Sequence, residues 1–165
     1  MKRLDNEKSR TIDYAAGTAV LEDYYERQFE LVKKGNTDLV TLELMMLGRA
    51  LDFMQFANKR LGVALDTSEA SVDLFEEVLD ALNRGIVQDD LFSDESGSIA
   101  KCLCAYLGLL ILANIGGKWE HTENGYAINV NGREAYVNDY IERRLIGLSA
   151  EPLPEYYRSV KIVKT

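Results

Sequence analysis

Residues 96–119 read SGSIAKCLCAYLGLLILANIGGKW, and the fold turns on how they are read. From Cys102 to Ile115 a run of fourteen residues contains one strongly polar side chain, Asn114. A membrane helix needs roughly 20 apolar residues, so this run is too short to span a bilayer and is expected as a helix buried within protein. A helix that is apolar nearly all round must be covered on several sides, which makes the flanking segments its wrapping. Gly116-Gly117 supplies the stop, because glycine enters the left-handed conformation that ends a helix without a Cβ clash.

The chain outside this run is long enough to provide that wrapping. Its 165 residues, 47% of them hydrophobic, suit one domain that buries roughly 70% of its unfolded surface. Cys102 and Cys104 are one residue apart, which points them to different sides of a helix and matches neither a redox CxxC pair nor a zinc knuckle. Two reduced, buried thiols are expected. MKRLDNEKSR has no apolar stretch behind its charges, so neither a secretory signal nor an anchor is read there. The expectation is a cytoplasmic protein with a flexible tail over 1–10 and a single domain over 11–165.

On the N-terminal side two helices precede the central one. Thr11 or Asp13 caps the first, reaching to about Lys34, with Ala16, Val20, Tyr24 and Leu31 and the neighbouring Ala19, Leu21 and Phe29 as an imperfect stripe and Gly35-Asn36 as its stop. Thr37 or Asp38 caps the second, whose broad apolar face runs from Leu39 through Met45, Met46, Phe53 and Met54 to Leu61-Gly62. Methionines at helical spacing are read as core filling rather than as an adaptable binding surface.

The net charge of −8 is concentrated in one place. Residues 66–95 carry ten acids against Arg84 alone, while the other segments come close to balance. Such a field repels phosphate backbones and anionic membranes and attracts basic partners. Asp66-Thr67-Ser68-Glu69 has the spacing of a capping box and is expected to open a third helix, with Val72, Phe75, Val78, Leu79 and Leu82 inward. Glu69, Asp73, Glu76, Glu77 and Asp80 then share its other face. Glu76-Glu77-x-x-Asp80 resembles the metal-binding half of the all-α nucleotide pyrophosphohydrolases, which hold magnesium with carboxylates one helical turn apart. The second acidic pair of that family is missing, because no acid stands between Glu95 and Glu120. Residues 83–98 read as a polar loop tethered by Ile86-Val87 and Leu91-Phe92.

Beyond Gly117 the pattern alternates. Lys118 to Thr122, Tyr126 to Val130 and Arg133 to Val137 are strand candidates, and Asn131-Gly132 between the last two is a strong signal for a type I′ hairpin turn. Asn138 or Asp139 is expected to cap a further helix with Tyr140, Ile141, Leu145 and Ile146 inward and Glu142, Arg143 and Arg144 mostly outward. Pro152 and Pro154 start a final short helical turn through Tyr156, Tyr157 and Val160. Helices, then strands, then a C-terminal helix describe an α+β class: mainly helical, with a central buried helix and a small antiparallel sheet of two hairpins.

Ala105-Tyr106-Leu107-Gly108, Asn114-Ile115-Gly116-Gly117-Lys118-Trp119, Tyr140-Ile141-Glu142-Arg143-Arg144-Leu145 and Tyr156-Tyr157 together resemble a group of bacterial proteins of uncharacterised function with a YLGE…N-GG-W pattern. The likeness spans roughly Leu65 to Val160 and implies a fold and a bacterial source rather than an activity. Leu109 stands where that group often has glutamate, so any chemistry of that carboxylate is lost here.

Candidates for chemistry are few. His121, the single histidine, is flanked by Glu120 and Glu123, which is fewer than the three protein ligands a catalytic metal usually takes; it is read as a surface residue. Gly116-Gly117-Lys118 ends a helix where a phosphate loop begins one. Trp119 is read as a plug fastening sheet to helix, or as the wall of a ligand cleft rimmed by Tyr106, Asn114 and Tyr136. The expectation is a binding or protein-interaction domain, monomer or homodimer, with no cofactor, metal or nucleic acid. It engages a basic protein partner through Glu69, Asp73, Glu76 and Asp80 in the acidic 66–95 segment. The alternative is a metal-dependent hydrolase of a nucleotide or other small molecule, acting through Glu76, Glu77 and Asp80.

Overall fold

A computed structural model of the protein describes residues 12–84 and 96–163. The expected tail over 1–10 and the tethers Ile86-Val87 and Leu91-Phe92 lie outside the described residues. A 3-10 turn, Tyr14–Ala16, leads into helix α1 (Thr18–Lys33), a second 3-10 turn (Thr37–Leu39) and helix α2 (Leu42–Phe56), which a π-helical turn extends through Ala57–Leu61. Helix α3 (Ser71–Asn83) and the central helix α4 (Ser96–Asn114) follow. Strands β1 (Lys118–Thr122), β2 (Gly125–Val130) and β3 (Arg133–Ala135) form one antiparallel sheet in that order, before α5 (Val137–Leu145) and α6 (Leu153–Val163). The domain is α+β and mainly helical.

Helix α4 is the axis of the core. Every residue from Leu103 to Leu112 is buried, and the helix packs most extensively on α2, with α5, β2 and the first 3-10 turn on its other sides. Burying a Leu, Ile or Phe side chain is worth about 1.5–3 kcal/mol, so this unbroken column accounts for the order of the elements around it. Among the described residues no helix is long and apolar enough to cross a membrane.

Trp119 is 3% exposed and lies against a notch in α4 at Gly108. A Cβ on Gly108 would come within 2.1 Å of Trp119 Cζ2, so only glycine at that position lets the indole lie on the helix. The sheet is held to the core through this contact and through the buried Ile128 and Val130 of β2. Its register pairs Lys118 with Asn129 and Thr122 with Gly125, then Val130 with Arg133 across Asn131-Gly132. Those two turn residues have φ of 52° and 85°, the positive pair a type I′ turn requires.

Several local expectations are corrected. Asp13 caps the Tyr14–Ala16 turn rather than α1, and α1 turns Leu21 inward while Val20, Phe29 and Leu31 are exposed. Of the expected stripe Leu21 is buried and Tyr24 half-buried, and the inner row Leu21, Tyr25, Gln28 and Val32, spaced 4, 3 and 4, runs along its edge. Thr41 caps α2, its Oγ1 accepting from the Leu44 amide, because Thr37–Leu39 closes a turn of its own. Helix α5 begins at Val137 with no side-chain cap from Asn138 or Asp139, so β3 ends two residues earlier than expected. The final element is a helix of eleven residues rather than a short turn.

Candidate functional site: the cleft between β3, α5 and α6

The acidic segment is built differently from its sequence spacing. No capping box forms: Asp66 Oδ1 accepts from the Ser68 amide and from Ser71 Oγ, both at 2.8 Å, and Ser71 Oγ accepts in turn from the Asp66 amide. The Ser68 hydroxyl donates to the same Asp66 oxygen, and this bond first, then those from the Ser71 hydroxyl and the Ser68 amide, hold the Asp66 carboxyl below the usual aspartate range. With Asp66 engaged this way, α3 starts at Ser71, and Glu69 reaches across to Lys161 of α6 at 2.7 Å. Asp80 pairs with Arg84 on its own helix at 3.3 Å, and Asp73 and Glu77 face outward.

Glu76 does not belong to that outer face. Its two oxygens accept from Arg144 Nη1 at 2.8 Å and Nη2 at 3.0 Å, and Oε2 also accepts from the Leu153 amide at 2.7 Å, the first residue of α6. Arg144, expected outward, is 6% exposed and also donates to the Tyr140 hydroxyl at 2.9 Å and the Glu151 carbonyl at 3.0 Å. Val137, Tyr140, Ile141 and Arg144 are the buried row of α5, so its last inward position carries a charge. Burial opposes that charge, but the Glu76 and Tyr140 bonds hold the guanidinium pKa above its ordinary value. This clamp joins α3, α5 and the start of α6.

The aromatic and amide candidates are not brought together. Tyr106 is fully buried, edge-on to Phe75, and its hydroxyl donates to the Asp66 carbonyl at 2.6 Å. Asn114 Nδ2 donates to the Thr67 and Leu110 carbonyls, both at 2.9 Å. Both side chains therefore fasten the 66–67 segment to α4. Asn114 lines a hollow of about 330 Å³ beside Tyr14 and Thr67, while Trp119 floors another of about 430 Å³ under Ile12 and Thr41. Tyr136 is exposed, donates to Glu134, and belongs to a third concavity. Among the described residues Asn114, Trp119 and Tyr136 line three different hollows, and Tyr106 is enclosed in the core, so the expected common cleft is not formed by them.

His121 is exposed and sits cross-strand from Tyr126, ring centres 4.8 Å apart, while Glu120 Oε1 accepts from Asn129 Nδ2 at 3.0 Å. Among the described residues no three His, Cys, Asp or Glu side chains are grouped to hold a metal ion. Both thiols are free, and burial pushes Cys104 up to about 12, far from a reactive thiolate.

The third concavity was not foreseen. It is a cleft of about 460 Å³ between β3, α5 and α6, within the roughly 300–1,000 Å³ of small-molecule sites. One wall is aromatic: the Tyr140 and Tyr156 rings stack with centres 4.2 Å apart. Tyr140 is fixed by donating to the Glu151 carbonyl at 2.7 Å, and the clamp below sets both helices. Of the charges on its lining, Arg143 is paired with Asp139 at 3.1 Å and Glu134 accepts from Tyr136. Arg133 and the Glu151 carboxylate make no ion pair among the described residues. Burial first, then Cys104, Tyr140, Glu151 and Asp139, raise the Tyr156 phenol. The one signal in the sequence was Arg144 on the inward row of α5, since a buried charge there demands a shaped polar surrounding. No protein-family model matches the chain, and neither a curated protein nor a solved structure matches it.

Proposed function

We propose that the protein is a bacterial, cytoplasmic binding domain without catalytic machinery, and that its ligand site is the cleft between β3, α5 and α6. The observation that carries this reading is the combination of a stacked tyrosine wall with Arg133 and Glu151, charges left without ion-pair partners among the described residues. In the hollow beside Asn114, by contrast, Asn114 and Thr18 are already bonded to the Thr67 backbone. Free thiols fit the reducing cytoplasm. The hydrolase alternative is disfavoured because Glu76 already accepts three hydrogen bonds from Arg144 and Leu153 and is paired with a buried cation. The test is a thermal-shift screen of small polar metabolites against wild type and Tyr136→Ala. Ligands that stabilise the wild type and lose their effect in the variant support the site. Stabilising ligands indifferent to Tyr136→Ala contradict it.

A second surface keeps the protein-interaction reading alive. Asp73, Glu77 and Asp80 are exposed on α3 around Leu74, which is 37% exposed, and this face suits a basic protein partner rather than nucleic acid. Capture of a basic protein at low salt that is lost in Asp73→Asn/Glu77→Gln/Asp80→Asn supports it. Equal capture by the triple variant removes it. Glu76 is left untouched, because changing it would alter the clamp. Whether the protein works as monomer or homodimer is read from the same preparations by light scattering.

A further inference from the structure

The charges on the cleft restrict what fits it. A purely anionic ligand meets Glu134, Asp139 and Glu151 together, and a purely cationic one meets Arg133 and Arg143. Asp139 and Arg143 neutralise each other along α5, at one helical turn's spacing. Glu134 accepts the Tyr136 phenol. What the lining leaves over is one guanidinium, on β3, and one carboxylate, in the segment between α5 and α6. The same lining carries an apolar part: Val130, Val160 and the stacked pair Tyr140 and Tyr156. Bidentate guanidinium–carboxylate pairing and carboxylate–ammonium pairing are the strong, oriented contacts available to such groups.

We propose that the cleft binds a small zwitterion with an apolar body, a free α-amino acid, its carboxylate on Arg133, its ammonium on Glu151 and its side chain against the tyrosine wall. This rests on the reading of the cleft as the ligand site and adds the chemical class. An aromatic or branched aliphatic amino acid fits a cleft of about 460 Å³ and keeps the apolar wall covered. Each charge of the ligand meets the opposite sign and neither is left in an apolar surrounding, which is what discriminates it from its singly charged analogues.

The experiment is calorimetric titration of the full chain with L-phenylalanine, phenethylamine and 3-phenylpropanoate, repeated on Arg133→Gln and Glu151→Gln. Both residues are exposed, so neither change should disturb the core. Wild type is expected to prefer the amino acid over either analogue by about tenfold or more, the worth of one charge-assisted hydrogen bond. Arg133→Gln should lose the preference over phenethylamine only, and Glu151→Gln the preference over 3-phenylpropanoate only. That crossed pattern is one that a damaged fold does not produce. If either analogue binds wild type as tightly as L-phenylalanine, the zwitterion assignment is overturned while cleft binding stands. If none of the three binds and metabolites of another class compete at Tyr136, the class is wrong. If nothing of any class binds there, the ligand-site reading falls with it.

Discussion

Replacing Glu76 with alanine removes one half of a clamp whose other half cannot leave. The Arg144 side chain is 7% exposed and that of Glu76 25%, so the guanidinium would stay buried after losing two bonds, and the Leu153 amide would lose its acceptor. Truncating one partner of a buried pair costs about 3–5 kcal/mol; because Glu76 is a quarter exposed and Arg144 keeps its Tyr140 and Glu151 acceptors, about 3 kcal/mol is expected. For a domain of this size that lowers the melting temperature by about 6–12 °C. Urea unfolding followed through Trp119, the single tryptophan, gives the number directly. A double variant, Glu76→Leu/Arg144→Met, replaces both charges by apolar groups and should lie within about 1–2 kcal/mol of wild type. A cost below about 1 kcal/mol for Glu76→Ala, or a double variant worse than the single one, would refute the assignment of the clamp as a buried, mutually dependent pair.

Three further outcomes are expected. Trp119→Ala should cost about 3–5 kcal/mol, and Gly108→Ala a comparable amount, since its Cβ lands on the indole; Gly108→Ala should be partly rescued by Trp119→Phe, and a denaturant series that finds no rescue argues against the notch. Gly132→Val meets no neighbouring atom but forces a side chain into φ near 85°, so a loss of about 1–2 kcal/mol or more is expected, with unchanged melting as the contrary result. Asp66 has a native pKa below its ordinary value, so its contribution is complete above about pH 4 and is lost as pH falls through the lowered native value. The melting temperature of Asp66→Asn should therefore lie below wild type near neutrality and converge with it in acid; a gap independent of pH contradicts that linkage.

The central helix was legible because fourteen nearly uninterrupted apolar residues are too few to cross a bilayer and must be covered by protein, and the second hairpin because Asn131-Gly132 tolerates positive φ. Helix α1 was read in part: Leu21 and Tyr24 of its expected stripe face the fold while Val20, Phe29 and Leu31 are exposed, since an amphipathic pattern does not say which edge of the apolar stripe faces the core. Arg144 was misread for a general reason: at positions 137, 140, 141 and 144 the spacing says inward and the charge says outward, and only a partner 68 residues away decides between them. The same long-range pairing took Glu76 off the acidic face. The cleft itself combines Arg133, Glu151 and Tyr156 from three separate segments, and no periodicity connects them. Tyr106, Asn114 and Trp119 were singled out as the wall and rim of a cleft, and their polar atoms and rings are engaged inside the fold.

The most direct test of the binding reading is a map of amide chemical shifts during titration with L-phenylalanine. Saturable shifts are expected to be contiguous over residues 130–136, 139–143 and 149–160, with α1 and the exposed face of α3 silent. Shifts confined to α3 or to the hollow beside Asn114, or no shift at any residue with this or any other small ligand, would contradict it.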